Sequence, residues 1–266
     1  MSSPTAHRPG AHPTRDPRRA RRFIGPAILA ALGIAIAFAA FGNPRPATAD
    51  PRGEVAGLTS APSTPNPTPV DEAPAAADPP ACAYGDEPTA NEGADDWAST
   101  ILDTTLMLPE TYAPDDLVPV TEAGITGRVK VRELVVDDLR ALATAAVSDG
   151  ATIGVDSAFR SYHQQVLSYE SYVKGYGEDA ARLTVARPGH SEHQLGTTID
   201  FTGDLDWLAA HAPGFGFVMS YPADRSPEFT CYRGEAWHFR YVGRERAALV
   251  TQSGHSLREW LWANRP

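Results

Sequence analysis

Lysine is scarce in this chain, and its scarcity excludes one class of catalyst. Only Lys130 and Lys174 occur among 266 residues, and neither begins a Lys-Thr-Gly triplet. Serine peptidases of the penicillin-binding type need that triplet together with a Ser-x-x-Lys motif. The single Ser-x-x-Lys match, at 171–174, falls in a segment with helical periodicity, and GHSEH at 189–193 lacks the final glycine of a nucleophile elbow. We therefore do not expect an acyl-enzyme formed at a serine.

Aromatic residues are missing from residues 43–80, which hold ten prolines. This composition buries too little apolar surface to offset the entropy of ordering, so we predict a disordered linker over residues 50–80. Residues 1–49 contain an arginine cluster, an apolar run at 23–42 and a final Ala-Thr-Ala. These are the parts of an export signal cleaved after residue 49, although a run of about 20 apolar residues also suffices for a membrane anchor. Both alternatives place the remaining domain, residues 81–266, outside the cytoplasm.

Positive charge is also in short supply once residues 1–49 are set aside. That segment holds seven arginines and one aspartate, so the remainder carries 16 basic and 32 acidic residues, a formal charge of −16. Such an acidic surface argues against nucleic acid and anionic lipid as partners. We expect a monomer that contacts a membrane only through an uncleaved N-terminal segment, and a substrate with cationic or zwitterionic parts.

Cysteine occurs only twice, at Cys82 and Cys231. In an exported protein two cysteines are more often bridged than free, although two separate thiols are the alternative. A bridge would close a loop of about 149 residues and stabilise the fold by up to roughly 5 kcal/mol in the chain-entropy model. We predict this disulfide, which would hold the start of the domain beside Cys231.

Helical and strand patterns mix without a regular βαβ rhythm in the predicted domain. Apolar spacing and end signals predict helices over 135–147, 161–174, 178–185, 205–211, 244–252 and 257–262. Runs of β-branched and aromatic residues predict strands over 152–157, 197–201, 217–221 and 237–242. Ser161 and Gln164 form a capping box at the start of the second helix. We predict an α+β domain with a small, mainly antiparallel sheet and flanking helices.

Metal-binding residue types are concentrated in two stretches, 187–201 and 234–242. Asp200 lies among residues that favour burial, and a buried carboxylate is costly unless it is paired or binds a metal. Together with a histidine from the first stretch and His238 from the second, it would supply the three protein ligands of a catalytic zinc site. Spacing alone does not decide whether His190 or His193 is the first ligand.

A hydrolytic zinc site also needs a base and a group that orients the substrate. Zinc lowers the pKa of its bound water to roughly 7, and Glu235 is suited to accept a proton from that nucleophile. Because residues three apart on a flat strand point to opposite faces, we expect Glu235 in the irregular approach to His238. Arg160, at a predicted strand end, is suited to hold a carboxylate or carbonyl oxygen, although arginines at such positions are often simply solvated.

Three stretches together resemble the VanY-type zinc D-alanyl-D-alanine carboxypeptidases. They are SAFRSYHQQ at 157–165, RPGHSEHQLGTTID at 187–200 and EAWHFRYVG at 235–243. The pair S-x-H-x-x-G-x-x-x-D and E-x-W-H is highly specific, and the resemblance extends from about Trp97 to Trp260. It implies the small α+β fold shared with hedgehog signalling domains. Phe159 replaces a frequent tyrosine, and Gly234 and Ala236 replace a frequent tyrosine and proline, which affects pocket shape and removes no catalytic group.

The resemblance assigns a role to each candidate residue. The implied zinc ligands are His193, Asp200 and His238, which leaves His190 as a loop or outer residue. The implied general base is Glu235, the substrate-orienting residue is Arg160, and the peptide-binding residues are Ser191 and either Gln164 or Gln165.

The implied activity is removal of the C-terminal D-alanine from peptidoglycan stem peptides, with zinc-bound water as the nucleophile. An L,D-carboxypeptidase or an endopeptidase acting on stem peptides is the alternative. A non-catalytic cell-wall-binding module is a further alternative, which the presence of Glu235 disfavours because a purely structural metal site needs no base.

Overall fold

The structure is a computed structural model that describes residues 78–265. The predictions for residues 1–49, and for all but the last three residues of the 50–80 linker, lie outside the described residues. None of the helices within 78–265 has the length and apolar character needed to cross a bilayer.

The described residues form six α-helices, eight short strands and five short 3-10 helices. The helices are α1 (Val136–Ser148), α2 (Tyr162–Tyr176), α3 (Glu178–Ala181), α4 (Leu205–His211), α5 (Arg244–Ser253) and α6 (Leu257–Ala263). The strands are β1 (Glu87–Pro88), β2 (Leu106–Met107), β3 (Leu117–Pro119), β4 (Lys130–Arg132), β5 (Ile153–Ser157), β6 (Thr198–Gly203), β7 (Phe217–Met219) and β8 (His238–Tyr241).

The central sheet has four strands in the order β5-β6-β8-β7, and every neighbouring pair is antiparallel. Alternation along β6 and β8 separates two faces. Ile199, Phe201 and Phe239 point to the hydrophobic core, where they are almost completely buried. Asp200 and His238 point to the opposite face. The predicted α+β class with a small antiparallel sheet is confirmed.

Helix α1 covers the core side of the sheet. Leu139 and Leu142 are fully buried in the same cluster as the inward residues of β6 and β8. Their spacing of three residues places them on one helix face, as the sequence predicts. Helix α2 begins with the predicted capping box, because Ser161 accepts a hydrogen bond from the Gln164 amide and the Gln164 side chain accepts one from Ser161.

Several predicted element ends differ from the structure. Helix α3 ends at Ala181 instead of continuing to residue 185, because Thr184 and Val185 turn back to hydrogen-bond the carbonyl of Ala181 and enter a cavity wall. Strand β7 ends at Met219 rather than at residue 221. Strand β5 ends at Ser157 as predicted, but Arg160 lies three residues beyond the strand and not at its end.

The start of the domain is tied to two later loops. The predicted disulfide between Cys82 and Cys231 is confirmed, with 5.3 Å between the two Cα atoms. Asp86 accepts a hydrogen bond from Arg187 at 2.6 Å, and the Tyr84 hydroxyl donates to the carbonyl of Arg182 at 2.6 Å. These contacts fix residues 82–86 against the segments that precede His193 and His238.

Candidate active site

The central sheet places two candidate ligands opposite each other. Asp200 on β6 lies directly across from His238 on β8 in the strand register. Oδ1 of Asp200 is 3.1 Å from Nδ1 of His238. Both side chains lie on the face of the sheet away from the core, so the arrangement follows from antiparallel pairing.

His193 approaches the same carboxylate from a separate turn. It lies in the 3-10 turn Glu192–Leu195, which is capped by the Ser191 side chain and ends at Gly196 with φ of 75°. A Cβ on Gly196 would lie 2.9 Å from the Arg132 side chain, so both its conformation and its packing require glycine. Nδ1 of His193 donates to the carbonyl of Ala158 at 2.7 Å, which leaves Nε2 to face Oδ2 of Asp200 at 3.2 Å.

The three side chains fit a zinc ion. One ligand atom from each of His193, Asp200 and His238 lies within 4.8 Å of the other two. Oδ1 of Asp200 is buried and makes no hydrogen bond of good geometry within residues 78–265, although Nδ1 of His238 lies 3.1 Å away and a buried carboxylate oxygen normally has a partner. Burial alone would raise the pKa of Asp200, but the two histidines outweigh that effect and lower the pKa. Two imidazoles and a charged carboxylate are the donor types of a catalytic zinc site.

Glu235 lies beside this cluster, before β8 begins. It precedes the strand in a turn, and its carbonyl accepts a hydrogen bond from the His238 amide. One carboxylate oxygen is 3.6 Å from Nδ1 of His238, so the irregular backbone brings both residues to one side as predicted. Burial raises the pKa of Glu235 above its ordinary value, which favours exchange of a proton nearer neutral pH.

Arg160 faces the cluster from the loop between β5 and α2. Its amide donates to the carbonyl of His193 at 3.1 Å, which fixes the loop to the ligand turn. Nη1 donates to the Ser168 hydroxyl at 3.2 Å, while Nε is buried without a hydrogen-bond partner among residues 78–265. Burial lowers the pKa of Arg160, and the charges of Asp200 and Glu235 oppose that change. The guanidinium thus keeps donor capacity for a ligand.

A cavity of about 210 Å³ lies over these groups. It is lined by Arg160, His193, Asp200, Glu235 and His238, together with Ser191, Gln165 and aromatic residues that include Trp237.

The two glutamines that the resemblance left open occupy different places. Gln165 is buried and lines the cavity, where its Nε2 donates to the carbonyl of Ala186 at 2.6 Å and its Oε1 has no partner among the described residues. Gln164 is exposed, and its side chain caps α2. Of these two glutamines, only Gln165 lines the cavity.

His190 turns away from the cavity. Its ring is almost fully buried, with Nδ1 donating to the carbonyl of Asp103 at 2.8 Å and Nε2 lying 3.1 Å from Asp86. It therefore anchors the ligand turn to the start of the domain and makes no contact with the metal cluster.

Sequence reasoning missed two buried charges next to His238. Glu192 lies 3.0 Å from Nε2 of His238, and Arg240 donates to the other oxygen of Glu192 at 3.0 Å. Burial alone would raise the pKa of Glu192, but His238 and Arg240 lower it to about 2. The spacing of His238 and Arg240, two residues apart in a strand, is the one sequence signal that could have placed these two residues on the same face.

Comparison with known proteins agrees with this geometry. A family model described as VanY, D-alanyl-D-alanine carboxypeptidase, matches residues 128–244. A D-alanyl-D-alanine carboxypeptidase of Enterococcus faecalis is 31% identical over 193 residues, which are 65% of this chain and 69% of that protein. The chain belongs to the VanY family. The putative carboxypeptidase YodJ of Bacillus subtilis is also 31% identical, over 60% of this chain and 65% of that protein, so the chain spans about two thirds of these relatives.

Solved structures extend the VanY comparison to the fold. A variant of the vancomycin-resistance D,D-pentapeptidase VanY in complex with Zn(II) is 30% identical, with a TM-score of 0.56 over 62% of this chain and 99% of that chain. The LdcB LD-carboxypeptidase is 26% identical, with a TM-score of 0.57 over 68% of this chain and 98% of that chain. The predicted VanY-type family and fold are therefore confirmed.

Proposed function

We propose that this protein is a zinc-dependent D-alanyl-D-alanine carboxypeptidase that removes the C-terminal D-alanine from peptidoglycan stem peptides. The observation that carries the proposal is the convergence of His193, Asp200 and His238 with Glu235 around one cavity. A VanY-family relative in complex with Zn(II) supports zinc as the cofactor.

The three ligand residues would hold zinc, which when bound supplies a Lewis acid and an activated water. Glu235 accepts the proton of the attacking water and passes it to the nitrogen of the leaving D-alanine. Its raised pKa suits a group that must both take and release a proton. Glu235 is therefore assigned as the general base.

Arg160 and the polar residues of the cavity orient the peptide. The partly unpaired guanidinium is suited to hold the scissile carbonyl oxygen or the terminal carboxylate through charge-assisted hydrogen bonds. Ser191 and Gln165 line the same cavity and offer a hydroxyl and an unpaired amide oxygen to the peptide backbone. Gln164 has no part in this assignment because its side chain caps α2.

The site of action proposed is outside the cytoplasm, where peptidoglycan lies. The disulfide between Cys82 and Cys231 supports this, since such bridges persist in oxidising compartments.

Hydrolysis of an L,D bond in a stem tetrapeptide is the second candidate function. The similarity to the LdcB LD-carboxypeptidase favours it, because this relative has nearly the same TM-score as the zinc-bound D,D-pentapeptidase.

Mass spectrometry of synthetic stem peptides distinguishes the two functions. The full chain with zinc is incubated separately with a pentapeptide ending in D-Ala-D-Ala and with the matching tetrapeptide. We expect loss of one alanine from the pentapeptide and little change in the tetrapeptide, with no hydrolysis after zinc is chelated. Cleavage of the tetrapeptide alone supports the L,D activity, and cleavage of neither peptide refutes the carboxypeptidase proposal.

A further inference from the structure

Glu192 contacts the nitrogen of His238 that faces away from Asp200. Its Oε2 is 3.0 Å from Nε2 of His238, and a carboxylate accepts hydrogen bonds and cannot donate them. In the neutral ring, which is the form that binds zinc, the proton must therefore lie on Nε2. The lone pair of Nδ1 is left to point at the metal cluster, where Asp200 lies 3.1 Å away.

The Glu192 carboxylate is itself held in place. Its Oε1 accepts from Nη1 of Arg240 at 3.0 Å, and Arg240 is completely buried. Nη2 of the same arginine donates to the carbonyls of Trp97 and Thr100 at 2.6 and 2.8 Å. A continuous series of hydrogen bonds thus runs from the N-terminal part of the domain to a metal ligand.

The two candidate histidine ligands differ in the partner of the ring nitrogen that faces away from the metal cluster. The outer nitrogen of His193 donates to the neutral carbonyl of Ala158, whereas that of His238 donates to a carboxylate. A carboxylate partner fixes the tautomer and increases the basicity of the coordinating nitrogen. Because Arg240 neutralises Glu192, this gain adds no net charge to the buried site.

We propose that Glu192 is a positioning residue that orients His238 for zinc binding, and that Arg240 holds Glu192 in place. The inference rests on the proposed function only in that the cluster binds zinc, and it does not depend on which peptide bond is hydrolysed. Glu192 acts through His238 and does not itself contact the reacting atoms.

Zinc affinity of the full chain with Glu192→Gln tests the proposal. The amide keeps the size of the side chain and an acceptor oxygen but lacks the charge that strengthens the contact with His238 and Arg240. Competition with a chromophoric chelator, without any substrate, should show zinc binding that is about 10- to 100-fold weaker than in the unaltered protein. The visible absorption spectrum of the cobalt-substituted protein should also shift, since it reports the geometry of the ligand set.

Glu259→Gln is the matched control. Glu259 is also buried and paired with an arginine, Arg225 at 3.3 Å, but it caps α6 and does not line the cavity. We expect this variant to lose stability while its zinc affinity and cobalt spectrum stay unchanged. A drop in zinc affinity equal to that of Glu192→Gln would show that the effect is general destabilisation and would overturn the proposal.

Glu192→Asp keeps the test decisive if Glu192→Gln does not fold. The shorter side chain retains the charge but cannot reach His238 and Arg240 at the same time. We therefore expect a zinc affinity between that of the unaltered protein and that of Glu192→Gln. Unchanged zinc affinity in either Glu192 variant refutes the positioning role. Because peptide hydrolysis is not the readout, that result would leave the proposed function standing.

Discussion

The two sides of the cavity are built in different ways. On the sheet side, Asp200 and His238 lie on paired strands, and the hydrophobic residues next to them in those strands are packed in the core. On the helix side, the 15-residue helix α2 buries Gln165 alone and leaves Leu167 and Tyr176 57% and 72% exposed. Segments with few buried contacts open at low free-energy cost. The rigid side therefore carries the candidate metal ligands, and the lightly packed side carries candidate contacts to the substrate.

Removing a ligand from the sheet side should have the largest effect. We expect Asp200→Ala to lose zinc and to reduce peptide hydrolysis to background, because the two histidines alone do not complete the ligand set. Tyr176→Ala, on the exposed face of α2, should retain both zinc binding and peptide hydrolysis. Metal analysis of the two purified variants measures the difference, and full zinc occupancy in Asp200→Ala would contradict the ligand assignment.

Glu235→Ala should separate metal binding from turnover on the same side of the cavity. We expect zinc content to be unchanged and kcat to fall by about 10²- to 10⁴-fold, the range typical of a lost general base. Steady-state kinetics on the purified variant, with metal analysis of the same sample, provide the measurement. A variant that retains normal kcat would remove Glu235 from the mechanism.

Breaking the disulfide tests whether the stability and zinc binding of the sheet side depend on its link to the start of the domain. Cys82→Ser opens the link to the loop that precedes Glu235, and we expect a loss of about 2–5 kcal/mol in the free energy of unfolding. Zinc occupancy at low temperature should persist because the strand pairing remains. Urea unfolding of this variant and of the oxidised protein gives the comparison. Equal stabilities would show that the bridge contributes nothing.

Zinc uptake by the sheet side should depend on pH. Burial lowers the pKa of a histidine, but the carboxylates of Asp200 and Glu192 outweigh burial here and raise the pKa of His238 to about 10. In the zinc-free protein His238 is then protonated at neutral pH, and zinc must displace that proton. At pH values below this raised pKa, the apparent zinc affinity should increase about tenfold for each unit by which the pH is raised. Chelator competition at several pH values measures the slope, and an affinity independent of pH contradicts it.

We expect the smallest effects from substitutions of the neighbouring residues Gln164 and Gln165 of α2. Gln164→Ala removes the capping box and should cost about 1 kcal/mol of stability without changing KM. Gln165→Ala removes a group that faces the cavity and should raise KM by about 2- to 10-fold, the equivalent of one hydrogen bond. Kinetics and thermal unfolding of both variants test the assignment, which fails if the two KM values change alike.

Local sequence signals predicted much of the fold because they act within a few residues. The capping box of Ser161 and Gln164, the apolar spacing of α1 and the β-branched and aromatic residues of β6 each reflect short-range geometry. The predicted end of α3 was wrong because helical periodicity cannot predict that residues 184 and 185 leave the helix to line a cavity. That contact depends on where the rest of the chain lies.

The sequence by itself predicted the class of the domain and the disulfide pair from residue type and spacing. The residues that converge on the cavity were predicted only through the resemblance of three stretches to the VanY-type enzymes, because spacing alone left His190 and His193 as alternatives. Only the tertiary structure showed that Gln165 lines the cavity while Gln164 caps α2, since the face of a helix that is buried depends on what packs against it. It alone paired Glu192 with His238 and Arg240, which lie 46 and 48 residues farther along the chain. Contacts over such separations are set by strand pairing and chain packing, which leave no local pattern in the sequence.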